Sequence, residues 1–107
     1  MPSQRLPQHE TDLLSKARDF VEKPRMYKVL LHNDNYTTRE FVVQILQMIF
    51  HKNPDEATQI MLHVHHNGVG MCGVYPREIA ETKANQVESV ARGCEFPLLC
   101  TYEENEE

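Results

Sequence analysis

The sequence predicts an α+β domain in the order β-α-α-β-α-β, with a three-stranded antiparallel sheet and three helices on one face. Three observations carry this. Met26 to Phe41, MYKVLLHNDNYTTREF, switches abruptly from strand to helix signals. Asn53-Pro54 and Asn67-Gly68 bracket a second apolar-periodic run as start and stop. Pro76 and Gly93 bracket a third, followed by the apolar run from Pro97 to Tyr102.

In the first strand Tyr27, Val29 and Leu31 alternate with Lys28 and Leu30, and it is rich in β-formers. Asn33-Asp34-Asn35 ends it with three turn formers. Thr37 and Glu40 have capping-box spacing, so a helix is expected from about Thr38 to His51. Phe41, Ile45 and Met48 would form its inner stripe, widened by Val42, Leu46, Ile49 and Phe50. In the second helix Asn53 caps, Pro54 suits the first position and Glu56 completes a box. Its inward residues would be Ala57, Ile60, Met61 and Val64, with Asn67-Gly68 as the exit. Val69 to Tyr75 reads as a strand loosened by Gly70 and Gly73. A third helix opens at Pro76 and runs to about Arg92, with Ile79, Ala80, Val87, Val90 and Ala91 inward.

The segments outside this core divide the chain of 107 residues into an arm over 1–25, a core over 26–102 and an acidic tail over 103–107. The arm is polar, carries Pro2, Pro7 and Pro24, and is expected to be flexible. The net charge is −5 and no long Lys/Arg run exists, which argues against nucleic acid as a partner. No apolar run is long enough to span a membrane and no signal-peptide core is present, so a cytoplasmic location is expected. Cys72, Cys94 and Cys100 lack CxxC spacing and read as free buried thiols.

No phosphate loop, nucleophile elbow or zinc-finger spacing occurs. His63 and His66 share a helix face, but with only Cys72 as a conceivable third ligand, neither a metal nor another cofactor is expected. An enzyme using Asp34 and His65 would lack a nucleophile and an oxyanion device, so no catalytic residue is assigned. A binding site is the better reading if His65 faces the strand-to-helix turn. Asn33, Asp34, Asn35 and His65 would then surround one spot with hydrogen-bond acceptors, as an ammonium group requires. Val42, Met61 and Val64 beside them would suit a large hydrophobic side chain. The competing reading is a turn that only caps a helix, flanked by ordinary core residues.

The pieces MYKVLLHND-YT, EFVVQILQ, ATQIMLHVH, CGVY, EIAETKANQV and PLLCT, in this order and spacing, resemble the bacterial Clp protease adaptor family, ClpS. The likeness runs from about Met26 to Thr101. The resemblance implies an adaptor, not an enzyme. Such adaptors bind N-degrons, proteins beginning with Leu, Phe, Tyr or Trp, and deliver them to the ClpA unfoldase for degradation by ClpP. By position, Asn33, Asn35 and His65 would hold the α-amine, with Asp34 and Thr37 close by. Val42, Met61, Val64 and Leu98 would wall the side-chain pocket. Glu78 and Lys83 would meet the ClpA N-terminal domain, and the arm would be engaged by the unfoldase.

Three residues depart from the family pattern. Asn35 stands where the family usually has Asp, so weaker amine binding or more reliance on Asp34 is expected. Arg39 stands where Met usually guards the pocket mouth. Its stem can still cover the mouth, while its charge is expected to shift the preference among hydrophobic first residues and to favour an acidic second residue. Pro76 replaces a side-chain cap. The alternative the departures keep open is a ClpA-binding regulator with altered or no N-degron binding.

Overall fold

The computed structural model describes residues 25–106. The expected arm lies outside these residues except for Arg25, and Glu107 also lies outside them. The elements are β1 (Met26–His32), α1 (Arg39–Met48), α2 (Pro54–Asn67), β2 (Val69–Pro76), α3 (Arg77–Gly93) and β3 (Leu99–Glu104). β1 is the central strand of an antiparallel sheet ordered β2-β1-β3. The predicted order and pairing therefore hold. No helix among the described residues is long and apolar enough to cross a membrane.

The core lies between the helices and one sheet face. Val29 and Leu31 of β1 are fully buried there with Cys72 and Cys100 of the flanking strands. Phe41, Ile45 and Leu46 of α1, Ala57 and Val64 of α2, and Ala80, Ala84, Val87 and Ala91 of α3 close over them. Phe96 packs against Phe41 with ring centroids 4.8 Å apart and the planes tilted by 47°. The opposite sheet face carries a His32–Thr101 hydrogen bond of 2.7 Å and an exposed Lys28–Glu103 ion pair of 3.6 Å. Met71 and Leu99 are exposed.

β2 reaches its length through a bulge. Val29 faces Gly73 and Leu30 faces Met71, leaving Cys72 as the additional residue on β2. The buried Cys72 is thereby turned into the core beside Gly73. The Tyr75 ring folds over Gly73, where any Cβ would collide with it.

Several boundaries and faces differ from expectation. α1 ends at Met48, not His51, because Ile49 caps it, Lys52 N–H closes back on Leu46 O at 3.1 Å and His51 turns to φ 56°. Met48, Ile79 and Val90 are exposed, at 64%, 46% and 36%, while Ala84, not expected inward, is buried with Ala80, Val87 and Ala91. α3 begins at Arg77 with Pro76 as an N-cap that makes no side-chain bond. β3 starts at Leu99, not Pro97, since its partner β1 ends opposite Leu99 at His32. It also runs to Glu104, with Asn105 N–H reaching Met26 O at 2.8 Å, so Glu103 and Glu104 belong to the sheet, not to a frayed tail. Cys94 is exposed, whereas the other two thiols are buried and free. Burial pushes the Cys100 thiol up to about 12, with Glu88 adding to the rise, and Cys72 higher still.

His51 is an exposed, non-glycine residue in the left-handed region. His51→Gly removes that backbone strain and should raise unfolding stability by about 0.5–1 kcal/mol, part of the gain being offset by glycine's freedom in the unfolded chain. A urea unfolding curve unmoved by the substitution would refute this.

Candidate functional site

The site is built where β1 turns into α1. Asp34 organises the turn. Its Oδ1 accepts from Tyr36 N–H at 2.8 Å and Thr37 N–H at 2.7 Å, and its Oδ2 accepts from the Thr37 hydroxyl at 2.7 Å. Because Thr37 is engaged with Asp34, the helix cap falls to Thr38, whose hydroxyl accepts from Phe41 N–H at 3.1 Å. The predicted Thr37/Glu40 box is therefore not formed. A second anchor ties the turn to the end of α2: Asn33 N–H donates to Gly68 O at 2.8 Å. Gly68 caps α2 at φ 88°, a conformation that glycine adopts without strain.

Partial burial raises the Asp34 pKa, but the hydrogen bonds from Thr37 and Tyr36 outweigh it and hold the carboxyl below its ordinary value of 3.8. A depressed folded-state pKa contributes stability above the unfolded value, and that contribution is lost as pH falls through the folded value. The stability advantage of the wild-type chain over Asp34→Asn should thus hold at about pH 5 and shrink on acidification below the ordinary value. Thermal melts of both proteins across that range test this, and a constant gap would refute it.

The two anchors place the turn against the facing surfaces of α1 and α2. On α1, Arg39 and Val42 are three residues apart and share a face; on α2, Met61, Val64 and His65 do the same. Between them opens a cavity of about 450 Å³. It is lined by Asn33, Asp34, Asn35 and Thr37 of the turn, and by Arg39, Val42, Met61, Val64 and His65 of the helices. Val42 and Val64 are buried, Met61 is half-buried, and Asn33, Asn35 and His65 are exposed. The arrangement is an apolar floor beneath a mouth rich in acceptors. Asp34 faces the cavity, yet both its oxygens already hold turn donors.

Leu98, expected in the pocket wall, does not line the cavity; it is buried in the main core. Three lining residues were not foreseen: Tyr36, Thr38 and Glu40. Tyr36 is 77% exposed, and an aromatic residue inside a polar turn is the signal that would have found it. The main surprise is a direct bond across the mouth. Arg39 Nη2 lies 2.7 Å from His65 Nε2. A guanidinium only donates, so that His65 nitrogen is the acceptor.

The other assigned residues lie elsewhere. Glu78 is exposed in the first turn of α3. Lys83 is half-buried. Its ammonium donates to Ile49 O at 2.7 Å and stands 5.3 Å from the Tyr75 ring centroid. It ties α3 to the end of α1 and does not stand free on an exposed charged face. Cys72 is buried while His63 and His66 are exposed, and no group of three His, Cys, Asp or Glu among the described residues is arranged to hold a metal ion.

Comparison with known proteins agrees with this architecture. The family model described as ATP-dependent Clp protease adaptor protein ClpS matches residues 22–101. The ClpS adapter protein of Maricaulis maris is 57% identical over 93 residues, covering 87% of this chain and 85% of that protein. The ClpS adapter protein of Myxococcus xanthus is 50% identical over 101 residues, covering 92% and 94%. The solved structure of Agrobacterium tumefaciens ClpS2 bound to L-phenylalaninamide superposes with a TM-score of 0.75 at 38% identity, covering 78% of this chain and all of that one. With three quarters of its length matched by the family model and the expected strand order in place, the chain belongs to the ClpS family of Clp protease adaptors, which are not enzymes.

Proposed function

We propose that the cavity binds N-degrons: the free α-amine at its mouth, and a large hydrophobic first side chain (Leu, Phe, Tyr or Trp) on its floor. The observation that carries this reading is the placement of Asn33, Asn35 and His65 around an opening floored by Val42, Met61 and Val64. Asn Oδ1 and His65 Nε2 accept hydrogen bonds, and an ammonium donates three. Each hydrogen bond to a charged group contributes roughly 1.5–3 kcal/mol. Burying a Leu or Phe side chain contributes about the same again. Association costs at least several kcal/mol and offsets much of this gain, so binding is modest and suited to handing substrate on. The ligand of the A. tumefaciens relative, L-phenylalaninamide, has this chemistry: a free α-amine next to a benzyl side chain.

The adaptor then delivers the captured protein to the N-terminal domain of ClpA, for degradation by ClpP, in the cytoplasm. Tethering to the unfoldase raises the local substrate concentration without bond chemistry in the adaptor. In this reading Glu78, exposed in the first turn of α3, is the residue that contacts ClpA. Lys83 contributes by holding α3 against α1, given its bond to Ile49 O.

The test is a titration of fluorescent peptides beginning with Leu, Phe, Tyr, Trp, Ile or Val, each free or acetylated at the first residue. Free peptides with large first residues should bind, and acetylation should abolish binding; equal binding of the two forms would overturn the reading. One observation favours the alternative of a ClpA-binding regulator with altered or no N-degron binding: the His65 acceptor is already held by Arg39. That alternative predicts ClpA binding with no free-amine dependence. Asn35→Asp adds a second carboxylate to the turn, one not engaged by the turn's own donors as Asp34 is, and should raise free-peptide affinity severalfold; an unchanged affinity would show that the amide suffices.

A further inference from the structure

We propose that Arg39 is a resident competitor for the amine site and, once displaced, the selector of the ligand's second residue. The substrate class is a protein whose hydrophobic first residue is followed by Asp or Glu. This rests on the reading of the cavity as an amine site.

The guanidinium carries a positive charge at any accessible pH and only donates. It sits on the Nε2 lone pair of His65 at 2.7 Å. A ring nitrogen offers one lone pair, so an incoming α-ammonium has to take it from Arg39. In the free protein a cation thus already stands where the ligand's cation arrives. The ion pairs among the described residues join Arg25 to Glu104 and Lys28 to Glu103. Neither involves Arg39, so no carboxylate of those pairs neutralises it.

Displacement does not remove the guanidinium from the site. Arg39 is the first residue of α1, three positions before Val42 on the same side of the cavity. With the amine at the turn and the first side chain on the floor, the ligand's chain leaves past the rim that Arg39 forms. A displaced guanidinium at that rim meets the second residue. Two like charges then share a mouth that Asp34 and Glu40 also line; the Asp34 oxygens are held by turn donors, and the ligand's second side chain adds to or offsets the charge beside Arg39. Aspartate or glutamate there accepts the two-pronged donor set of arginine. A neutral second residue leaves the repulsion in place, and a basic one adds to it.

The test uses the full chain and four fluorescent peptides, beginning Phe-Asp or Phe-Asn, each with a free or an acetylated first residue. Wild type should bind free Phe-Asp about three- to fivefold tighter than free Phe-Asn at low salt, with the ratio falling as salt screens the exposed pair. In Arg39→Met the ratio should fall to about one, and free Phe-Asn should bind severalfold tighter than to wild type, since the competitor is gone. The same Asp-to-Asn ratio in wild type and Arg39→Met, or no preference in wild type, would overturn the selector role while leaving the amine site intact. Equal binding of free and acetylated peptides would overturn the amine site, and the selector with it.

Discussion

Replacing His65 by Ala should lower the affinity for a free Phe-initiated peptide by tens-fold, the equivalent of one charge-assisted hydrogen bond of roughly 1.5–3 kcal/mol. The imidazole is exposed, next in sequence to the buried Val64 of α2, and its ring meets His66 at a centroid separation of 5.4 Å. Its removal opens no hole in the core, so the melting temperature should hold within a few degrees. Loss of the ring also frees Arg39, which relieves competition and places the outcome at the lower end of the range. The pair of measurements separates the two roles of this residue. A large loss of affinity with an unchanged melting curve marks a ligand contact. Affinity within about twofold of wild type would mean that Asn33 and Asn35 hold the amine alone.

Gly70→Ala should produce the largest loss of stability from the smallest change. A Cβ at residue 70 would stand 2.6 Å from Val64 Cγ2 and 3.3 Å from His63 Cδ2. Val64 is 2% exposed and β-branched, so inside a helix it has one good rotamer and no free direction to turn. The remaining response is for α2 to move off β2, an overpacking cost of about 1–3 kcal/mol. For a domain of this size that corresponds to a fall in melting temperature of roughly 5–20 °C. The displaced helix carries Met61, Val64 and His65, so peptide affinity should fall with stability even at temperatures where the protein is folded. Gly93→Ala is the control. Nothing lies within 4 Å of its Cβ position, and it ends α3. That substitution should be neutral or stabilising, since alanine is the better helix former. Equal melting temperatures for Gly70→Ala and Gly93→Ala would refute the close-approach argument.

Where local pattern and structure part, long-range contacts are the cause. Thr37 and Thr38 both stand before an apolar-periodic run, and local rules favour the one with a glutamate three residues on. Asp34 decides the matter by recruiting the Thr37 hydroxyl. Met48, Ile79 and Val90 fit a helical stripe, but the stripe is wider than the surface the sheet and neighbouring helices cover. Lys83 is expected at a partner surface, but α3 lies beside the end of α1, where its ammonium donates to Ile49 O. Leu98 belongs to the core because β1 ends at His32 and draws the ladder's first partner to Leu99.

What the sequence by itself determined was the order of elements, their punctuation and the kinds of side chain at the site. Each of these is written in spacings of a few residues: alternation in β1, Asn53-Pro54 and Glu56 at the start of α2, Gly68 at its end. The tertiary structure alone decided which of those side chains meet. Arg39 and His65 are 26 residues apart and touch only because the Asn33–Gly68 bond and the packing of Val42 on Val64's helix bring the start of α1 to the end of α2. Short-range rules describe backbone and periodicity, whereas the identity of the donor held by one imidazole nitrogen depends on distance through space, which no local pattern encodes.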